Sequence, residues 1–453
     1  MSYISNTDAD RRKMFRKIGV NSFEEIFDDI PEHLRLRRPL DIPRLSEMEV
    51  LAEIDGLAHA NHEETICFAG GGVYDHFVPS AVGAIVSRPE FMTAYTPYQA
   101  EVAQGTLQVI YEFQTHICRL TGMEVANASM YDGASAAAEA VLLCTALTRR
   151  NKVLVCETVS PLVREVVATY AVPRDIEIVT VPMRNGATDP DRLATLIDDR
   201  TACLLVAQPN FFGGLEEAVA MGEAVHKVGA KLIMSVDPIA QALLKTPGEI
   251  GADIAVGEGQ PLGISLSFGG PLLGFFAARK TLARNLPGRI AARTTDVEGR
   301  TGFVLTLQTR EQHIRRQKAT SNICTNQALC ATTATVYLSL MGRTGLKQVA
   351  LLSAEKAQAA AERIGAIDGF DLYYPTPFVR EFMVKTPRPA SEIVQAMIRR
   401  GILPGVDAGR WYPELKHGLI VALTEKRTEA QIAKLVSGLE ELSTSGVLSG
   451  LQN

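Results

Sequence analysis

Between residues 152 and 278 six short, almost wholly apolar segments recur at intervals, and they constrain the fold more than anything else in the chain. They cover 152–157, 176–181, 201–207, 231–236, 253–256 and 274–278. Helical patterns at 161–170, 189–197 and 215–228 separate the earlier ones, the last closed by Gly229 as a natural residue past a helix end. A strand that is apolar at nearly every position must be covered on both faces. That requirement predicts a mostly parallel sheet wound with helices, an α/β fold.

The flanks differ in character. Residues 8–18 and 46–60 carry apolar side chains at helical spacing, with Pro39 and Pro43 between them, and read as an N-terminal helical arm of residues 1–62. Such an arm suits packing against a partner subunit. The large α/β domain is expected at 63–325. A long helical stretch from about 325 to 365, broken near Gly342, then leads into a small C-terminal α/β domain, together 326–453. The small domain's strands are expected at 371–374, 381–384 and 419–423, with helices from Ser391 and Thr428. The stretch 285–302 has loop chemistry.

A net charge of −5 implies no nucleic-acid partner. The cysteines number seven, never spaced CxxC, and several sit in apolar runs such as those of Cys156 and Cys203. They read as reduced, buried small hydrophobes. The charged N-terminus holds no apolar core of a signal, and no segment approaches the roughly 18 uninterrupted apolar residues of a membrane span. Cytoplasmic location is the expectation. No metal is expected, because His59, His62, Glu63 and Glu64 match no ligand spacing.

Four stretches carry candidate chemistry. In 231–274 an apolar strand ends in Asp237, and a later one leads into Gly257, Gly259, Gly263, Gly269, Gly270 and Gly274. An acid at a strand end beside a flexible crossing is where many α/β enzymes hold a cofactor. Gly133, Ala134 and Ser135 open an alanine-rich helix behind Asp132, a turn able to present free N–H groups to a phosphate. Tyr95, Tyr98 and Gln99 lie together ahead of a helix. Arg310, Arg315, Arg316 and Lys318 precede Thr320, Ser321 and Asn322, as either a solvated helix face or an anion receiver. The glycines 70–72 fit a tight turn or a binding loop. The spacing GxGxxxG at 257–263 does not match the dinucleotide fingerprint.

Arm, large domain and small domain together fit enzymes that use pyridoxal phosphate. Gly133–Ser135 could cradle its phosphate, and Asp237 could meet the pyridinium nitrogen or simply cap the turn before Pro238. The lysine such a site needs is missing, since none occurs between Lys245 and Lys280.

The motifs TAYTPYQAEVAQG, ANASMYDGASAAAEA, LKTPGEIGADIAVGEGQPLG, FGGP, LPGRI and LQTREQHIRRQKATSNICT span nearly the whole chain. They resemble the P-protein of the glycine cleavage system, the glycine-decarboxylating dehydrogenase family, and within it the N-terminal half. The resemblance implies a fold type I pyridoxal phosphate transferase architecture. It also implies that the catalytic lysine belongs to the other half, in a His-Lys-Thr motif before a glycine run. Setting that run against Gly269, Gly270 and Pro271 places Gln260 where the lysine would fall, and glutamine forms no imine.

The resemblance thus implies a chain that bears no catalytic residue of its own. It would work with subunit 2, two copies of each, with pyridoxal phosphate on the partner's lysine. Glycine would lose CO2, and its aminomethyl group would pass to the lipoyl arm of H-protein. On that reading Tyr95, Tyr98 and Gln99 contribute to the partner's site. Arg310, Arg315, Thr320, Ser321 and Asn322 serve phosphate or interface contact. Gly133, Ala134, Ser135, Asp237 and Gln260 mark a vestigial cofactor pocket. The alternatives are a structural pseudo-subunit that scaffolds subunit 2, and a sensor that binds pyridoxal phosphate without a covalent bond.

Overall fold

The structure, a computed structural model, describes residues 5–61 and 65–444, and the chain divides into two compact units, Met1–Glu63 and Glu64–Asn453. His62, Glu63 and Glu64 lie outside the described residues, as does the expected boundary between arm and large domain. The first unit carries helices α1 (Asp8–Ile18) and α2 (Glu47–His59). Each begins with a reciprocal cap, Thr7 with Asp10 and Ser46 with Glu49, which satisfies N–H groups that a helix start leaves open. Neither helix buries a single residue.

The second unit is built on a seven-stranded sheet: β1 (Val125–Ala126), β2 (Lys152–Cys156), β3 (Glu177–Val181), β4 (Thr201–Gln208), β5 (Lys231–Val236), β6 (Ile254–Glu258) and β7 (Gly274–Ala278). Their spatial order is β1-β7-β6-β5-β4-β2-β3. Strands β3, β2, β4, β5 and β6 pair in parallel, while β7 runs antiparallel to both β6 and β1. Every residue of β2, β4 and β7 is buried, as their largely apolar composition requires. Helices α3 (Gln104–Thr121) and α4 (Gly133–Thr148) bury apolar residues in this unit, and α4 packs across β4 to β7.

The stretch 285–302 is not a loop. It holds most of a hairpin of β8 (Ile290–Thr295) and β9 (Thr301–Thr306), paired antiparallel. Its apolar contribution is small, Ala291 and Leu305 against Leu107 and Ile110 of α3. Two glutamines of α3 supply the rest. The Gln114 amide accepts from Ala291 N at 2.8 Å and donates to Ala291 O at 2.9 Å. Gln104 does the same for Phe303, at 2.8 Å each way. Each side-chain amide stands in for a missing neighbouring strand.

The long helix α5 (Ala328–Gly365) starts three residues beyond the expected Thr325 and breaks at Gly342, whose φ of 58° leaves the helical region. Beyond it lies a four-stranded antiparallel sheet, β10 (Asp371–Leu372), β11 (Glu381–Lys385), β12 (Val406–Asp407) and β13 (Gly418–Ala422), in the order β10-β11-β13-β12. Helices α6 (Ala390–Ile398) and α7 (Glu429–Thr444) accompany it. This sheet has its own core, with Phe370, Phe382, Leu419 and Leu435 around Phe68. No described helix is long and apolar enough to cross a membrane.

Candidate functional site

The carboxyl ends of β2, β4, β5 and β6 open on a cavity of about 690 Å³, closed on its far side by Arg380 and Glu381 at β11 and by residues 71–74. Its position outside the strand ends is where an open parallel sheet binds ligands, and its volume suits a small molecule. Of the expected pocket residues, Gly133, Ala134, Asp237 and Gln260 line it. Ser135 lies just behind, its N–H bonded to the Asp132 carboxylate at 2.6 Å in the expected N-cap.

The turn expected to cradle a phosphate already holds a carboxylate at Gly133 N. Glu258, at the end of β6, accepts from Gly133 N at 2.9 Å with one oxygen, and from Gln260 N at 2.9 Å and Leu273 N at 2.8 Å with the other. A carboxylate thereby sits on the positive end of α4, where an anion is stabilised. Burial pushes its pKa up against the lowering effect of these three N–H bonds. The contact is so close that a Cβ at Gly133 would stand 2.8 Å from Glu258 N.

Of the two roles left open for Asp237, the structure shows the cap. One oxygen caps the turn, accepting from Ile239 N at 2.8 Å and Ala240 N at 3.2 Å. The other forms an ion pair with Arg380, a residue 2% exposed. Arg380 also donates to His76 Nε2, and its guanidinium lies 3.6 Å from the Tyr74 ring centroid. Because arginine can only donate, His76 Nε2 must be the acceptor and Nδ1 the protonated atom. Nδ1–H then donates to Glu425 at 2.6 Å. Burial holds the His76 pKa below its usual value, with the Arg380 charge adding to the shift. Next to this chain, Glu381 accepts from Tyr74 OH at 2.9 Å and Gly71 N at 2.7 Å, and burial pushes its carboxyl up to about 7.

Gln260 is 1% exposed and its amide is fully engaged. Oε1 accepts from Tyr74 N at 2.9 Å, while Nε2 donates to Tyr74 O at 3.1 Å and Ile264 O at 2.7 Å. It clips the glycine-rich segment 70–74 to the cavity. The cavity groups therefore do not fit pyridoxal phosphate. The cradle N–H is taken by Glu258, Asp237 by Arg380, and the imine position by an amide that cannot form one.

The other candidates lie outside the cavity lining. Tyr95 is 85% exposed, Tyr98 55%, and Gln99 is exposed as well. The basic segment is a series of single turns (308–310, 312–315 and 316–318) rather than a helix face. Arg310 is half-buried, and each of its three nitrogens donates to a backbone carbonyl, of Leu307, Leu286 and Gly288. Arg315 donates to Thr309 O at 3.0 Å, and Thr320 and Asn322 are exposed. Ser321 is buried, its hydroxyl accepting from Ile323 N at 3.0 Å. The two motifs meet at Tyr98, whose ring lies 6.2 Å from that of His313. Arg289, buried behind it, donates to Tyr98 OH at 3.3 Å.

Sequence reasoning passed over Glu258, Arg380, His76, Glu381 and Arg289. Glu258 sat in plain view at a strand end, inside a stretch read only for its glycines. The partners of His76 lie more than three hundred residues away, which no local pattern discloses.

The family model described as "Glycine cleavage system P-protein" matches residues 1–439. A protein of Carboxydothermus hydrogenoformans named probable glycine dehydrogenase (decarboxylating) subunit 1 is 52% identical over 442 residues, covering 97% of this chain and 99% of its own length. Its namesake from Desulforamulus reducens is 51% identical over 446 residues, covering 98% and 100%. A crystal structure of glycine decarboxylase (P-protein) of the glycine cleavage system, in inhibitor-bound form, is 42% identical and superposes with a TM-score of 0.89 over 98% of this chain and all of that one.

Proposed function

The chain belongs to the glycine cleavage system P-protein family, and on that footing we propose that it is subunit 1 of glycine dehydrogenase (decarboxylating). With subunit 2 it decarboxylates glycine and passes the aminomethyl group to the lipoyl arm of H-protein, whose disulfide is reduced in the transfer. Pyridoxal phosphate belongs to the family's chemistry. In this reading it rides on a lysine of subunit 2, in a complex with two copies of each chain.

The observation that carries this division of labour is Glu258. An acid bonded to Gly133 N puts negative charge where the phosphate would need to sit, and the two cannot share that N–H. Neighbouring groups add to it. Arg380 neutralises Asp237, and Gln260 makes three hydrogen bonds that a lysine could not all reproduce. The same pairings argue against a free-standing cofactor sensor. What this chain brings to the reaction is then a surface. Tyr98 is a half-exposed ring on a buried arginine, with Tyr95 and Gln99 beside it, and it is the part best built to enter a neighbouring pocket. Arg315, Thr320 and Asn322 are available for phosphate or interface contact, whereas Arg310 and Ser321 hold backbone.

Borohydride reduction of the assembled complex with pyridoxal phosphate, followed by separation of the chains, tests the assignment. Label is expected on subunit 2 alone, and exchange of glycine's carboxylate with CO2 only when both chains are mixed. Labelled subunit 1, or exchange by it alone, would sink the proposal. The scaffold reading is favoured by the internal engagement of the cavity's charged groups, Asp237 with Arg380, Glu258 with three backbone N–H groups, and Glu381 with Tyr74 and Gly71. It prevails if Tyr95→Ala and Tyr98→Ala leave exchange in the intact complex unchanged.

A further inference from the structure

We propose that Arg289 is the positioning residue that fixes Tyr98, binding two segments distant in sequence into one rigid rim. Arg289 stands at the mouth of the β8–β9 hairpin and is 4% exposed. Its guanidinium reaches three partners at once. One nitrogen donates to Asn326 Oδ1 at 3.3 Å, and another to both Cys324 O and Tyr98 OH, the latter at 3.3 Å. Its Nε faces Glu311, 4.0 Å away and equally buried. The guanidinium carbon also stands 5.6 Å from the Tyr98 ring centroid, within reach of a cation–π contact.

The anchor behind it is firm. Arg289 O accepts from Ala128 N at 2.8 Å, next to β1. Asn326 in turn donates to Ser129 Oγ at 3.0 Å, and Gln327 N donates to the same oxygen at 3.1 Å. Ser129 is wholly buried with a φ of 146°, a conformation that a non-glycine residue holds only where its surroundings dictate it. On the outer side, His313 meets the Tyr98 ring and lies 3.7 Å from Glu311. The chain of contacts thus runs from the sheet edge through Asn326 and Arg289 to an aromatic ring 55% exposed. Lysine could not replace the hub, because a point charge cannot serve a carbonyl, an amide oxygen and a phenol in one plane.

This inference rests on the reading that Tyr98 enters the pocket of subunit 2. A ring that must meet a reacting centre needs its orientation fixed beforehand, and small misplacements are expensive in rate.

The test uses the complex with subunit 2, carrying Arg289→Lys, Tyr98→Phe, or both. Arg289→Lys should lower kcat for glycine–CO2 exchange by about tenfold, with KM for glycine within about twofold and the complex intact by mass. Added to Arg289→Lys, Tyr98→Phe should cost little more, because both changes break one contact. Losses that multiply, or a loss that vanishes once assembled complex is matched, would overturn the proposal. A fluorotyrosine resonance from position 98 reads the hold without any turnover. It should narrow in Arg289→Lys as the ring gains freedom, and an unaltered line overturns the proposal as well. Full exchange by the Tyr98→Ala complex would instead defeat the pocket reading on which it rests, even if the resonance narrows.

Discussion

Gln260 and Glu381 show how single side chains set the cavity's stability and charge. Tyr74 N and O both rest on the Gln260 amide, and lysine offers no acceptor. Gln260→Lys should therefore destabilise the chain by about 1–3 kcal/mol. It should also retain no pyridoxal phosphate after borohydride treatment, because Glu258 still holds the cradle. Covalent capture by that variant would contradict the account. Glu381 gives a prediction with a sign. Burial raises its pKa to about 7 from 4.5, so between those values the folded chain keeps a proton that the unfolded chain has lost. The group's contribution is whole below about pH 4.5 and is lost as pH rises to about 7. Glu381→Gln cannot ionise, so its unfolding free energy relative to the parent should climb across that window. The gain should reach about 3 kcal/mol and level off above it. Denaturation series at pH 4.5, 6 and 7.5 check this, and a flat difference would refute it.

Helices and strands were legible to the extent that their own residues build them. Helix α1 ends where its periodicity says it should, and β7 occupies the expected 274–278. Strands β8 and β9 were not legible, because their stability is borrowed: half of their residues are Thr, Arg and Gly, and glutamines of α3 complete their hydrogen bonding. The same reasoning covers the basic segment, where Arg310 holds the carbonyls of Leu286 and Gly288. Gln114→Ala would leave Ala291 N without its acceptor in a buried place. We expect a loss of about 1–3 kcal/mol and faster amide exchange across 290–295 than across β5. Equal protection in variant and parent would show that the hairpin stands without the glutamine.

At the scale of the molecule, the cavity was half visible. Of its sheet-end residues, Asp237 follows from the apolar strand it closes, and Gln260 from the resemblance that sets it in the lysine's place. Its other wall, Arg380 and Glu381, and the His76 and Glu425 linked to Arg380 come from segments that only tertiary folding brings near. The first unit presents a different case. Ile18, Leu34, Leu40, Ile42, Leu51 and Leu57 are each more than 55% exposed, a quantity of apolar surface that marks association. Deleting residues 1–61 should leave the melting temperature of the remaining chain within a few degrees. It should also weaken assembly with subunit 2, measurable by sedimentation. Undiminished assembly would assign the apolar face to another purpose.

Glu258 has a consequence for supply. A helix whose exposed N–H groups await a vitamin-derived phosphate is finished only when that vitamin is at hand. Here the chain carries its own substitute, made in every copy at translation. On the proposed division of labour its maturation would be independent of nutrition, and cells short of the cofactor could still stockpile this half in its final form. Scarcity would then be felt in the partner alone, and recovery would require the refilling of one chain rather than the rebuilding of two.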